Sequence, residues 1–238
     1  MKNAIIIGAS SGIGRELAKI LSQNGYNLGL TGRRQDLLIS LQKELSTQSF
    51  VKQIDVSQES EAMKLLNELL EEMSGTDLIV INAGIGFINP NLNWKEEKET
   101  IDVNISGFTA MANVAVEFFS KKGSGHIVGI SSIAALRGNG KAPAYSASKA
   151  FMSNYLEGLR QKFGKLGSPI AVTDIQPGFV DTEMAKGEGK FWVAPPEKAA
   201  RQIYEAIRKK KKHAYITKRW RIIAWVLKIL PDRLYYKI

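Results

Sequence analysis

The sequence predicts an α/β protein built on one doubly wound parallel sheet. Three observations carry that expectation. Short apolar runs of strand length alternate with amphipathic segments of helical spacing along most of the chain. Several of the runs are continuously apolar and β-branched, as strands buried on both faces require. The first run also passes through a glycine-rich turn straight into a helix.

Size and composition fit that fold. At 238 residues with 44% hydrophobic side chains, the chain suits one large domain with a full core. It contains no cysteine, which excludes a disulfide framework, a thiolate nucleophile and a cysteine metal site. With His126 and His213 as the only histidines, no zinc centre is expected. Ala4 to Ile7 is too short for a secretory signal, and no segment reaches the roughly 20 apolar residues that cross a bilayer, so a cytoplasmic protein is expected. The formal charge of +10 is uneven: from Arg201 onward there are twelve basic and two acidic residues, whereas residues 1–200 balance 21 bases against 21 acids. A neutral body carries a basic tail. One basic cluster without a recognition motif does not point to nucleic acid.

Ala4 to Ile7 reads as the first buried strand, followed by Gly8-Ala9-Ser10-Ser11-Gly12-Ile13-Gly14 and a helix to Gln23 with Leu17, Ile20 and Leu21 on one face. Strand, glycine turn and helix N-terminus form a phosphate cradle, because glycine lets the backbone approach a pyrophosphate whose charge favours the positive helix end. The second strand, Tyr26 to Leu30, ends in Thr31-Gly32-Arg33-Arg34. An acid here would bind ribose hydroxyls, whereas arginine accommodates a 2′-phosphate. The pair favours NADP(H) over NAD(H), with Arg33, nearer the strand end, as the first contact. The same arginines would also serve as the solvated start of a helix.

A helix from Asp36 to Leu45 leads to a third strand, Phe50 to Ile54, closed by Asp55-Val56. A helix from Glu59 to Met73 precedes a fourth strand, Asp77 to Ile81, which turns away at Asn82-Ala83-Gly84. Strand ends at Gly8, Asp55 and Asn82 are expected to face one crevice. A helical stretch from Trp94 to Ser120, broken or bent near Gly107, carries Asn104. The fifth strand, His126 to Ile130, delivers Ser131-Ser132, and a helix from Ala144 to Phe163 follows Pro143, a residue suited to a helix start. The sixth strand, Pro169 to Ile175, runs into Gln176-Pro177-Gly178-Phe179-Val180-Asp181-Thr182. Residues Glu183 to Pro196 then form a loop long enough to cover a site. A helix from Glu197 to Arg208, four lysines and a strand from His213 to Ile216 complete a domain of residues 1–217, leaving 218–238 as a basic amphipathic extension.

Tyr145 and Lys149 are four residues apart on a predicted helix, so their side chains leave one face a turn apart. A cation there favours phenolate and would lower a reference pKa of about 10, making Tyr145 a usable general acid or base. Ser132, at a strand end thirteen residues upstream of Tyr145, could bring a hydroxyl to the same oxygen.

Together Gly8-x-x-x-Gly12-Ile13-Gly14, Asp55-Val56, Asn82-Ala83-Gly84, Asn104, Ser132, Tyr145-x-x-x-Lys149 and Pro177-Gly178-x-Val180-x-Thr182 resemble the short-chain dehydrogenase/reductase family over nearly all of residues 4–197. The resemblance implies a Rossmann-type sheet of order 3-2-1-4-5-6-7 and hydride transfer between nicotinamide and a small-molecule carbonyl or alcohol. It implies Tyr145 as the acid or base, Lys149 on the nicotinamide ribose, Ser132 on the substrate oxygen and Asn104 holding a relay water. Asp55 would meet the adenine, Asn82 through Gly84 the adenine-ribose side, and Thr182 with the Val180 backbone the carboxamide. A homodimer through the Trp94–Ser120 and Ala144–Phe163 helices is also implied. Two positions depart from the family pattern: Ile7 stands where Thr is frequent, and Ile81-Asn82 where an Asn pair is frequent. Many NADP-using members carry a base at the place of Ser11, so here the 2′-phosphate reading rests on Arg33 and Arg34, aided by Ser10 and Arg15. A non-catalytic nucleotide-binding role is the rival reading, and the intact Ser132, Tyr145 and Lys149 argue against it.

Met184, Phe191, Trp192 and Val193 are candidate walls for a bulky apolar substrate, or core residues. The tail does not resemble the Gly-rich end of tetrameric members. On a helical wheel Lys218, Arg221 and Lys228 oppose Trp220, Ile223, Leu227 and Leu230. Residues 209–230 therefore suit a membrane surface, a lid on the same domain or a partner subunit.

Overall fold

The structure, a computed structural model, describes residues 2–184 and 191–237. Seven strands form one parallel sheet: β1 (Lys2–Ile7), β2 (Tyr26–Gly32), β3 (Ser49–Gln53), β4 (Leu78–Ile81), β5 (Gly125–Ile130), β6 (Ile170–Pro177) and β7 (His213–Ile216). Their order is β3-β2-β1-β4-β5-β6-β7, as expected. Successive side chains of β1 point to opposite faces and enter different cores. Ile5 and Ile7 pack with Leu66 and Leu69 of α3 (Glu59–Glu72), Met111 of α5 (Phe108–Lys122) and Met152 and Leu156 of α6 (Pro143–Lys165). Ala4 and Ile6 pack with Leu17 and Leu21 of α1 (Gly12–Gln23), Leu38 and Leu41 of α2 (Gln35–Glu44) and Ala199 and Ile203 of α7 (Pro196–Arg208).

Two strands run past their expected ends. β2 continues to Gly32 because Thr31 and Gly32 stay in register with Lys52 and Gln53 of β3. β6 continues to Pro177, in register with Ile216. The helical stretch expected to be broken or bent near Gly107 is interrupted there without ending. α4 (Trp94–Ile101) passes through a π-helical turn, Asp102–Gly107, into α5. A side chain at Gly107 would meet the Val56 carbonyl at 2.6 Å, so glycine is required where this helix presses on the end of β3.

Beyond β7 the chain folds back as α8 (Trp220–Ile229) and a last turn, α9 (Asp232–Tyr235). Trp220 and Ala224 are buried and Ile223 and Leu227 half-buried against the domain, so this side of the expected wheel is an internal face. A second apolar strip, Ile222, Trp225, Val226 and Ile229, faces outward. Much of the expected loop between Glu183 and Pro196 lies outside the described residues. Among the described residues no helix is long and apolar enough to cross a membrane, and no cluster of side chains suits a metal ion.

Candidate active site

The site lies at the carboxyl ends of the parallel strands, where backbone groups run out of ladder partners. Gly8 leaves β1 with φ +92°, and a Cβ there would meet the Ala83 amide nitrogen at 2.6 Å. A Cβ on Gly14 would collide with the Gly8 carbonyl. Gly12 holds φ +56° beneath the Thr182 methyl, which lies 3.0 Å from where a Cβ would be. The turn is thus closed by Asn82, whose Nδ2 donates to the Gly8 carbonyl at 2.6 Å, and by the Ala83 amide, which donates to Ile7 O at 2.7 Å. Asn82 ties the ends of β1 and β4 together.

Arg34, not Arg33, reaches the cradle. Its Nη2 donates to Ser11 Oγ at 2.6 Å and Ser10 Oγ at 3.3 Å, while Nη1 pairs with Glu183 at 2.9 Å. Arg33 is exposed, and its carbonyl accepts from Gln53 Nε2. Arg15 points away, donating to the Leu37 carbonyl and pairing with Glu44. Asp55 Oδ1 accepts from the amide and hydroxyl of Ser57, at 3.0 and 2.8 Å, fixing the turn after β3.

Deeper in the cleft, Asn104 is fully buried on the π-helical turn. Its Oδ1 accepts from the Ile85 amide at 2.9 Å, and its Nδ2 donates to the Ile85 carbonyl at 2.8 Å and Ser148 Oγ at 3.0 Å. The widened turn aims this amide inward and joins the loop after β4 to α6. Lys149 is buried, its ammonium donating to the Ile130 carbonyl at 3.0 Å and lying 5.8 Å from the centre of the Tyr145 ring. A Cβ on Gly84 would lie 3.2 Å from both Lys149 Nζ and Asn104 Oδ1. Ser132 ends β5, is buried, and caps the 3-10 turn Ile133–Leu136 by accepting from the Ala134 amide at 3.1 Å.

The charge states follow from burial. Lys149 falls from the ordinary lysine range to about 8, because protein replaces water around the ammonium; the carboxylate of Asp174 opposes that fall. Tyr145 keeps part of its ring surface open, yet protein surrounds it closely enough that burial raises its pKa, and the Ser132 hydroxyl only partly counters this. The expected lowering of the Tyr145 pKa is therefore not found: burial dominates. Near pH 7 the pair is a neutral phenol beside an ammonium.

Three contributors were not read as site residues from the sequence. Gly86 lies flat on Tyr145, since a Cβ there would meet the ring at 2.6 Å; the signal was a second glycine two residues after Gly84. Asp174 is fully buried on β6, accepting from Ser131 Oγ at 2.5 Å, Ser153 Oγ at 2.6 Å and Gln176 Nε2 at 3.1 Å. An acid in the middle of a strand was its signal. Trp220 packs on Gly178 and joins Phe179, Phe191 and Trp192 in one aromatic cluster, with ring centres 5.4, 5.1 and 6.1 Å from its own. Sequence spacing does not bring residue 220 to residue 178.

Over residues 2–191 the sequence matches the family described as short chain dehydrogenase. An uncharacterized oxidoreductase of Mycobacterium tuberculosis is 32% identical over 241 residues, covering 97% of this chain and 94% of the relative. ElxO with NADP bound shares the fold at a TM-score of 0.81 and 23% identity, over 93% of this chain and 99% of that one. A short chain dehydrogenase/reductase from Burkholderia phymatum in complex with NAD does so at 0.85 and 21%, over 94% and 92%. The chain belongs to the short-chain dehydrogenase family and is an oxidoreductase of that family.

Proposed function

We propose that the protein reduces a ketone or aldehyde with NADPH, or runs the reverse oxidation, with Tyr145 as the proton donor. The observation that carries this reading is the buried Lys149 ammonium 5.8 Å from the centre of the Tyr145 ring, with the Ser132 hydroxyl in hydrogen-bonding reach of the phenol. The residues fit the cofactor. Gly8, Gly12 and Gly14 let the turn close tightly, since side chains there would meet Ala83, Thr182 and the Gly8 carbonyl, and Arg34 stands over Ser10 and Ser11 where a 2′-phosphate would be held. At the other end the buried Trp220 indole N–H has no partner among the described residues and lies against Gly178, which puts a donor beside the segment from Pro177 to Thr182. NADP bound to ElxO supports the phosphorylated cofactor, while NAD bound to the Burkholderia protein shows that the shared fold alone does not choose.

The nicotinamide, when bound, supplies the hydride to the carbonyl carbon. Tyr145 then gives its phenolic proton to the carbonyl oxygen, which Ser132 holds by hydrogen bond. Lys149 steadies the resulting phenolate, a charge worth most in a site poor in water. Asn104, whose amide already binds Ile85 and Ser148, keeps the floor rigid and the relay path in place. Phe179, Phe191 and Trp192 supply apolar walls and favour a bulky apolar substrate. Cytoplasmic action and a homodimer through α4, α5 and α6 belong to the same reading; the exposed Ile101 and Phe151 on those helices support the latter.

Tyr145→Phe is expected to abolish NADPH oxidation with every accepted ketone while leaving NADPH fluorescence titrations nearly unchanged. Normal turnover by that variant would remove Tyr145 from the role. A screen of ketones graded in size and polarity would then fix the substrate class.

A further inference from the structure

α8 carries two apolar faces, and only one is used. Trp220 and Ala224 face inward, whereas Ile222, Trp225 and Ile229 are 62%, 64% and 58% exposed. Leu234 and Tyr236 extend the uncovered surface past the helix end. Monomeric surfaces scatter such residues singly; a run of them on one helix marks a contact surface.

Basic groups border this strip. A shallow cleft between β7 and α8 has Tyr215, Ile222 and Trp225 for its apolar lining, with Arg221 and Lys228 beside them. Lys228 lines the same cleft as Tyr215, which brings the helix end to β7. The exposed run Lys209 to Lys212 enters β7 at the same place. Lys218 and Arg219 are exposed at the opposite end of the helix. The two acids from residue 201 onward are already engaged, Glu205 by Arg208 and Asp232 by Arg137. The surface is therefore apolar along its middle and cationic along its edges.

We infer that this face docks the protein on an anionic lipid surface, with Trp225, Ile222 and Ile229 entering the interface and Lys209–Lys212, Arg221 and Lys228 meeting the headgroups. The charge decides among occupants. A second copy laid on the same patch by two-fold symmetry would set like charges against each other, which opposes association. Nucleic acid would use the bases and leave the tryptophan strip unpaired. An anionic bilayer satisfies both, since each base near such a surface strengthens partitioning about five-fold and the apolar strip adds burial.

The inner face of the same helix ties the docking surface to the site. Trp220 lies on Gly178 and against Phe179, and Arg137, just after the 3-10 turn that follows Ser132, donates to the Leu227 and Leu230 carbonyls. Docking would hold the apolar end of the cleft close to the lipid. The docking itself does not depend on the proposed reaction.

The test is flotation of the full chain, without cofactor, on vesicles of phosphatidylcholine alone and of phosphatidylcholine with one third phosphatidylglycerol. Binding at least about ten-fold stronger to the anionic vesicles is expected, and raising salt to about 0.5 M should weaken it. Trp225→Ser with Ile229→Ser should lower binding about ten-fold, and Arg221→Glu with Lys228→Glu should do so independently. Thermal melts confirm that each variant is folded, and NADPH oxidation with a soluble ketone reports on the reaction separately. No binding, equal binding to both vesicles, or binding that neither variant reduces would overturn the inference. So would a dimer, seen by light scattering, that the Trp225→Ser/Ile229→Ser variant dissociates while vesicles bind neither form.

Discussion

At the scale of single residues, the site works through what surrounds each titratable group. Lys149 is held near pKa 8 by two opposed effects, burial and the Asp174 carboxylate. Asp174→Asn removes the second, so the ammonium is lost at lower pH than in the parent. In a pH profile of kcat/KM for reduction, the alkaline limb of this variant should move toward neutrality, with little change in NADPH affinity. An unmoved limb would make Asp174 a packing residue only. The 2′-phosphate assignment is equally local. Arg34→Ala should weaken NADPH about ten-fold or more while sparing NADH, and Arg33→Ala should do much less, because only Arg34 touches Ser10 and Ser11. Equal losses for the two cofactors, measured by fluorescence titration, would discredit the assignment.

At the scale of elements, α8 depends on one arginine. Arg137 caps the helix C-terminus through the Leu227 and Leu230 carbonyls, pairs with Asp232 at 2.7 Å and lies 4.2 Å from the centre of the Tyr235 ring. A cation at the negative end of a helix, with its hydrogen bonds made, contributes about 1 to 2 kcal/mol. Arg137→Ala is expected to cost about 2 kcal/mol of local stability in residues 220–235, seen as faster amide exchange there with the sheet unchanged. Unchanged exchange would mean that Trp220 and Ala224 hold the helix alone. The element pattern was largely legible beforehand, because strand and helix periods differ and because Gly8 through Gly14 read as a turn. Of the π-helical turn only the place was legible, as a break or bend near Gly107. The requirement for glycine at residue 107 comes from the Val56 carbonyl, fifty-one positions away, and no local signal reports it.

For the whole molecule, buried bases shape stability. His126 is buried on β5 against Thr173 Oγ1 at 2.8 Å, and burial lowers its pKa from 6.5 to about 4. Between those values the unfolded chain binds the extra proton, so stability falls as pH falls through the window. At pH 5 the cost is about 2 kcal/mol, since each unit of difference is about 1.4 kcal/mol. Lys149 acts alike at the alkaline end, with stability rising as pH goes from about 8 toward 10.5. Urea unfolding of His126→Gln between pH 7 and 5 should show a shallower decline than the parent chain, and parallel curves would exclude His126 as a source of acid lability.

The sequence by itself determined the alternation of strands and helices, the glycine cradle, and the identity and spacing of Ser132, Tyr145 and Lys149, and the family resemblance added the sheet order. The first three are written in local periods or in short motifs whose chemistry is local. Tertiary structure alone decided that Arg34 rather than Arg33 meets the cradle, that burial raises rather than lowers the Tyr145 pKa, and that Asp174 stands behind Lys149. It also decided which face of α8 is inside. A helical wheel ranks faces by polarity, but α8 has two apolar faces, and only the position of Gly178 and the aromatic cluster selects the one that packs.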